Sequence, residues 1–120
     1  MLESGEMYLE NILVLTKKNG GARAVDLAAA MHISKASVSR ALTKLKAEEC
    51  INVEADGRLV FTQKGLDIAE KIYERHRILT QLIVGLGVDE ETAMADACKI
   101  EHDISDRTFE AIKAHIMDKK

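Results

Sequence analysis

Ser34-Lys35-Ala36-Ser37-Val38-Ser39-Arg40 opens a helical stretch, and Ile51-Asn52-Val53-Glu54-Ala55-Asp56-Gly57-Arg58-Leu59-Val60-Phe61-Thr62 follows it. Ser34 has the short hydroxyl side chain that caps a helix start. From there, Val38, Leu42 and Leu45 recur at helical spacing and turn inward, leaving Lys35, Ser37, Ser39, Arg40, Thr43, Lys44 and Lys46 toward solvent. The helix runs to about Glu49. Apolar residues then alternate on both sides of Asp56-Gly57, a strong short-range hairpin signal. Upstream, Val25–Met31 reads as a short Ala-rich helix and His32-Ile33-Ser34 as a tight turn. A first helix, capped at Ser4, carries Leu9, Ile12, Leu13 and Thr16 at helical spacing and ends at Asn19-Gly20-Gly21. Helix, short helix, turn, helix and hairpin, in that order, define a winged helix-turn-helix.

Beyond the hairpin, a long helix runs from Thr62 to about Val84, with Leu66, Ala69, Ile72, Tyr73, Leu79 and Ile83 on one stripe. Gly85-Leu86-Gly87 breaks it. Asp89 caps another helical segment reaching about Asp103, with Glu90 and Glu91 where the helix dipole favours acids. Ser105 caps a last helix bearing Phe109, Ile112 and Ile116. The chain is therefore mainly α: an N-terminal winged helix-turn-helix domain over residues 1–65, then a helical dimerisation domain over 66–120. Ala93, Ala97, Ile100, Ile104, Phe109, Ile112 and Ile116 offer more apolar surface than a lone arm needs, so a homodimer is expected.

Composition narrows the classes. Of 120 residues 47% are hydrophobic but only 3% aromatic, with no Trp, so the core must be aliphatic. Pro is absent, which suits uninterrupted helices. A net charge of −3 argues against indiscriminate nucleic-acid binding. The charge is unevenly spread, however. His32 to Ala47 holds Lys35, Arg40, Lys44 and Lys46 with no acid, while acids gather at Glu3–Glu10 and Asp89–Asp106. Two distant cysteines, Cys50 and Cys98, make no disulfide framework. No secretory signal precedes Met7 and no apolar run is long enough to cross a bilayer, so a cytoplasmic protein without membrane contact is expected. Cys50, among apolar neighbours, reads as a core filler.

Two constellations carry chemistry. Ser34, Lys35, Ser37, Ser39, Arg40 and Lys44 lie on the recognition helix, whose N-terminal end would enter the major groove of double-stranded DNA. Arg40 has the bidentate reach for a guanine edge and Ser37 is small enough for close approach. Arg58 is the natural wing contact. The competing reading is a solvated surface helix.

In Asp96-Ala97-Cys98-Lys99-Ile100-Glu101-His102, a thiol, a carboxylate and an imidazole fall at i, i+3 and i+4, within one helical turn. A divalent transition metal uses all three donor types. His76 interrupts the apolar stripe of the long helix, and Met7 and Glu10 stand one turn apart on the first helix. Read blandly, Cys98, His76 and Met7 are core residues and the Glu-His pair is incidental. His32 and His115 have no ligand neighbour at helical spacing and are left out.

Taken together, four signatures resemble the diphtheria toxin repressor family of metal-dependent transcriptional repressors. They are Glu6-Met7-Tyr8-Leu9, Ser34-Lys35-Ala36-Ser37-Val38-Ser39, Leu59-Val60-Phe61-Thr62-Gln63-Lys64-Gly65, and Cys98-Lys99-Ile100-Glu101-His102-Asp103-Ile104-Ser105. The resemblance implies a repressor of metal-uptake or metal-homeostasis genes, not an enzyme, binding a palindromic operator as a homodimer. It implies that Met7, Cys98, Glu101 and His102 match the primary site of the iron-dependent branch. Glu10 and His76 match ligands of the manganese-responsive branch, and His76 also matches an ancillary site of the iron branch. Two other positions of that ancillary site fall on Thr80 and Met94, poor ligands, so a second site of that kind is not expected. Nor is the SH3-like third domain of the iron branch: the resemblance leads us to expect the short two-domain form.

Soft Met and Cys donors shift preference from Mn²⁺ towards Fe²⁺, Co²⁺ or Ni²⁺. Fe²⁺ is the expected effector, Mn²⁺ the alternative, and Co²⁺ or Ni²⁺ the substitutes. One ion shared by the first helix and the dimer arm would limit where paired recognition helices sit, about 34 Å apart on successive major grooves. Two rivals are a winged-helix regulator not gated by metal and a non-haem iron enzyme. The second lacks an evident acid–base pair.

Overall fold

The structure is a computed structural model that describes residues 3–118, with side chains from Gly5 onward. Six helices and one hairpin follow in the order α1 (Glu3–Asn19), α2 (Ala24–Met31), α3 (Lys35–Ala47), β1 (Ile51–Val53), β2 (Leu59–Phe61), α4 (Gln63–Gly85), α5 (Glu90–Ile100) and α6 (Asp106–Asp118). The chain divides into two compact units, Met1–Glu70 and Lys71–Lys120, and the division falls inside α4.

In the first unit, α1, α2 and α3 pack around buried Leu9, Ile12, Leu13, Leu27, Val38, Leu42 and Leu45. α1 starts at Glu3, so Ser4 lies within its first turn instead of ahead of it. The side chain of Ser4 is outside the described residues. Gly20 takes φ +77 just past the end of α1, and its N–H bonds Thr16 O at 2.9 Å. α2 stops at His32, which adopts the left-handed conformation (φ 55, ψ 45), and Ile33 N–H returns to Ala28 O at 3.2 Å. That reversal aims α3, whose start is capped where expected: Ser37 N–H donates to Ser34 Oγ at 3.1 Å.

The hairpin pairs Ile51 with Phe61, Asn52 with Val60 and Val53 with Leu59. Its turn closes through Glu54 N–H to Arg58 O at 2.8 Å, and Gly57 supplies the positive φ of +89 that the turn requires. Leu59 N–H also bonds Ala22 O at 2.7 Å, and Arg23 bridges Arg58, so the segment before α2 lies along β2. α4 begins against this hairpin. Gly65 N–H donates to Thr62 Oγ1 at 3.1 Å. A Cβ on Gly65 would meet Cys50 O at 1.9 Å, so only glycine permits this approach. Cys50 is fully buried, and burial, its largest influence, raises the thiol pKa.

The second unit sets the latter part of α4 beside α5 and α6. Ile78, Phe109 and Ile116 form its core, with Leu82, Ile104 and Ile112 packed against them. α5 is capped by Asp89, which accepts from Thr92 N–H at 2.9 Å, and α6 by Ser105, which accepts from Thr108 N–H at 3.1 Å. α5 ends at Ile100, short of the Asp103 expected from sequence. Glu101 is its C-cap, and Asp103 N–H already bonds Ile100 O in a tighter turn that the Ser105 cap of α6 imposes.

Ile104, Phe109, Ile112 and Ile116, taken as spare apolar surface for a dimer, are used inside the unit. The large apolar side chains left exposed there are Val84, Leu86, Met94 and Met117. Among the described residues, no helix is long and apolar enough to cross a membrane.

Candidate metal centre and nucleic-acid interface

On the first unit, α3 presents the residues read as DNA contacts. Lys35, Ser39, Arg40 and Lys44 are exposed and Ser37 half-buried. The N-terminal hydroxyls form a small network: Ser34 Oγ meets Ser37 Oγ at 3.0 Å, and Arg40 Nη2 donates to Ser37 Oγ at 3.3 Å. Arg40 is thereby drawn toward the helix start, the end that enters a major groove. Along one flank of α3, a groove of about 530 Å³ is lined by Lys35, Ser39, Thr43 and Lys46, with Val25 of α2 and Val53 of β1.

Arg58 is at the wing, as expected, but it is not alone. Arg58 N–H and Nε both donate to the Asp56 carboxylate at 3.0 Å, while Arg23 Nε donates to Asp56 O at 3.1 Å. One aspartate thus positions two half-exposed arginines, Arg58 through its carboxylate and Arg23 through its backbone carbonyl. The backbone N–H of Arg58 is the leading cause holding the Asp56 pKa below the usual carboxylate range. Sequence reasoning missed Arg23. Its place beside Gly20-Gly21, where the chain turns back along the hairpin, was the available signal.

On the second unit, the structure gathers His76, Glu101 and His102. The Glu101 and His102 side chains are completely buried and that of His76 is one-fifth exposed. His76 Nδ1 bonds Glu101 Oε2 at 2.8 Å. The other oxygen, Oε1, lies 3.3 Å from His102 Nε2 and has no hydrogen-bond donor among the described residues. A buried carboxylate oxygen without a donor is costly, and a cation satisfies it. Two donors about 2.0–2.2 Å from one ion stand roughly 3.0–3.4 Å apart, and the Oε1–Nε2 spacing falls in that range. Imidazole, carboxylate and the half-buried Cys98 thiol in the last turn of α5 together suit a divalent first-row metal.

The other sequence candidates are placed as follows. Met7 and Glu10 lie on α1, half-buried and buried respectively. The Thr80 hydroxyl is buried and finds no hydrogen-bond partner among the described residues; Met94 is exposed. His32 and His115 are exposed on separate units. A further residue of the second unit, Arg75, was not singled out from sequence. It is buried immediately before His76, and a cation inside an apolar stripe was its signal.

A winged-helix unit followed by a helical unit with a buried histidine–carboxylate cluster is the arrangement of a DNA-binding regulator. The chain belongs to the iron dependent repressor family, as the diphtheria toxin repressor resemblance implied. The family's N-terminal DNA binding domain matches residues 1–59, and its metal binding and dimerisation domain residues 62–119.

Among curated relatives, the chain is 35% identical over 115 residues to the uncharacterized HTH-type transcriptional regulator MJ0568 of Methanocaldococcus jannaschii, covering 94% of this chain and 92% of that one. It is 36% identical over 109 residues to the HTH-type transcriptional regulator MntR of Bacillus subtilis, covering 91% and 77%. Among solved structures, a manganese-dependent transcriptional repressor in complex with manganese superposes with a TM-score of 0.83 at 25% identity, covering 92% of this chain and 51% of that chain. T. acidophilum IdeR, at 21% identity and a TM-score of 0.80, shares the fold over 92% of this chain and 53% of its own. The chain spans about half the length of these two solved relatives.

Proposed function

We propose that this chain is a metal-activated repressor of metal-uptake or metal-homeostasis genes, acting in the cytoplasm as a homodimer on a palindromic operator. The observation that carries the reading is the fully buried Glu101 carboxylate, one oxygen paired with His76 and the other facing His102 without a donor. His76, Cys98, Glu101 and His102 would hold the ion from the second unit. The resemblance adds Met7 and Glu10 of α1 as thioether and carboxylate donors. The ion would supply positive charge beside Glu101 Oε1, the carboxylate oxygen that lacks a hydrogen-bond donor among the described residues. Donors drawn from α1 and from the dimerisation domain let occupancy restrict the DNA-binding unit. A coupling of about 1–3 kcal/mol changes operator occupancy roughly 5–150-fold, and the operator tightens metal binding by the same factor.

Fe²⁺ is the proposed effector, because Met7 and Cys98 contribute soft donors. Mn²⁺ is the second reading, supported by Glu10 and His76 and by the manganese-bound repressor whose fold this chain shares. On DNA, Ser34, Ser37 and Arg40 would read base edges, with Lys35, Ser39, Lys44, Arg58 and Arg23 on phosphates. The test is operator binding with anaerobic Fe²⁺, with Mn²⁺ and with chelator. Retention only with metal supports the reading, and the ion effective at lower free concentration decides between the two. Equal affinity with chelator sinks it in favour of a regulator not gated by metal.

A further inference from the structure

We propose that Arg75 is the positioning residue of the metal centre: its buried guanidinium sets the backbone that holds Glu101 and His102 against His76. The inference rests on the metal-site reading above and names what organises that site. Arg75 is 5% exposed and directly precedes His76 in α4. Its Nη1 donates to Glu101 O at 3.0 Å and to Ile104 O at 2.8 Å. Its Nη2 bonds Asp106 Oδ1, and its plane lies over the Phe109 ring, 5.3 Å from the centroid. Lys71 Nζ holds the same Asp106 oxygen at 2.8 Å.

Both carbonyls lie beyond the end of α5, where no further helical N–H groups are available to them. One planar fork reaches both, and its direction is fixed by the carboxylate at the start of α6 and by the Phe109 ring. Neighbouring residues on α4 therefore perform two tasks. His76 meets the Glu101 side chain, and Arg75 grips the Glu101 backbone. Glu101 is thus held at both ends from a single helix turn. Arginine has no lone pair to give an ion at this pH, so any influence on metal binding must pass through position.

The experiment uses the full chain with Co²⁺ as the probe ion, reading affinity by titration and coordination by the d–d absorption spectrum. R75K keeps the charge but loses the fork. D106N loosens Arg75 without touching it, and carries the test if R75K does not fold. I116A, a core change in the last turns of α6, controls for simple loss of stability. Both Arg75-directed variants are expected to lower Co²⁺ affinity about 10–100-fold, the usual effect of losing an outer partner. Their absorption bands should also shift, while I116A changes neither at temperatures where it is folded. Parent affinity and parent spectrum in the folded variants would overturn the inference, as would an equal loss in I116A. E101Q and H102A separate the two levels. If they bind Co²⁺ like the parent, the metal-site reading fails. If they lose it while R75K and D106N do not, only the role given to Arg75 fails.

Discussion

His76 Nδ1 and Glu101 Oε2 lie 2.8 Å apart although 25 positions separate them in the chain. The bond ties α4 to the turn that ends α5, in a place where the carboxylate has no exposure. An ionised carboxylate persists in such a place only when paired. His76 satisfies one of its oxygens and leaves the other directed at His102.

Metal should therefore stabilise the fold through this pair. At free Mn²⁺ or Fe²⁺ about 100 times its dissociation constant, the parent is expected to gain roughly 2.7 kcal/mol. Thermal unfolding with and without chelator measures the gain, and a Glu101→Gln, His102→Ala double variant should lose it. A gain of equal size in that variant would place the ion elsewhere.

Arg40 and Arg23 should fail in different ways. Arg40→Ala is expected to cost about 1–3 kcal/mol of operator affinity and to relax base preference at one position. Arg23→Ala should weaken binding about equally across sequences and reduce the slope of log K against log salt by roughly 1. Binding isotherms on operator and scrambled duplexes at several salt concentrations distinguish these outcomes.

Gly65→Ala must push a methyl group into the Cys50 carbonyl, 1.9 Å from where its Cβ would sit. The clash is with backbone, so relief requires α4 to move from the hairpin. Denaturant unfolding should show a loss of about 1–3 kcal/mol. An unchanged midpoint would mean that the close approach is not kept in solution.

Ser34→Ala removes the hydroxyl that accepts from Ser37 N–H and donates to Ser37 Oγ. A cap of this kind contributes about 0.5–2 kcal/mol. The same change removes the donor that orients Ser37 Oγ, the acceptor of Arg40 Nη2, so operator affinity should fall by more than the stability does. Parallel losses in both would assign Ser34 to the fold alone.

Asp56 gives a pH dependence of definite sign. Its pKa is lowered in the folded chain, first by the Arg58 backbone N–H. Its contribution is thus present above the unfolded carboxylate pKa and is lost as pH falls through the lower folded value. Following the Asp56 carboxyl by NMR should show it titrating below the ordinary aspartate range. Asp56→Asn should remove that dependence and loosen Arg58, while Arg23 keeps its bond to the backbone carbonyl. A normal titration would mean that the turn does not hold Arg58 in solution.

Much of the architecture was legible because local rules and burial agree. Ser34, Asp89 and Ser105 are at the caps where their side chains belong, and Asp56-Gly57 makes the hairpin because glycine supplies its positive φ. Less legible were features set by distant partners. Ending α5 at Ile100 depends on the demands of the next cap, and a periodic pattern running on to Asp103 conceals it. Arg75 and Arg23 carry only weak local signals, a cation within an apolar stripe and a place beside Gly20-Gly21. Their roles arise from carbonyls and a carboxylate 26 to 33 positions away.

The chain alone determined its helices, its hairpin and the donor types available to an ion. Helical periodicity, capping chemistry and turn chemistry act over a few residues and are written in that order. Only tertiary structure decided that His76 and His102 flank one carboxylate, that Arg75 holds the turn carrying it, and that Arg23 joins Arg58. Those relationships come from packing, which brings side chains together according to where segments bury their apolar faces and not according to their distance along the chain.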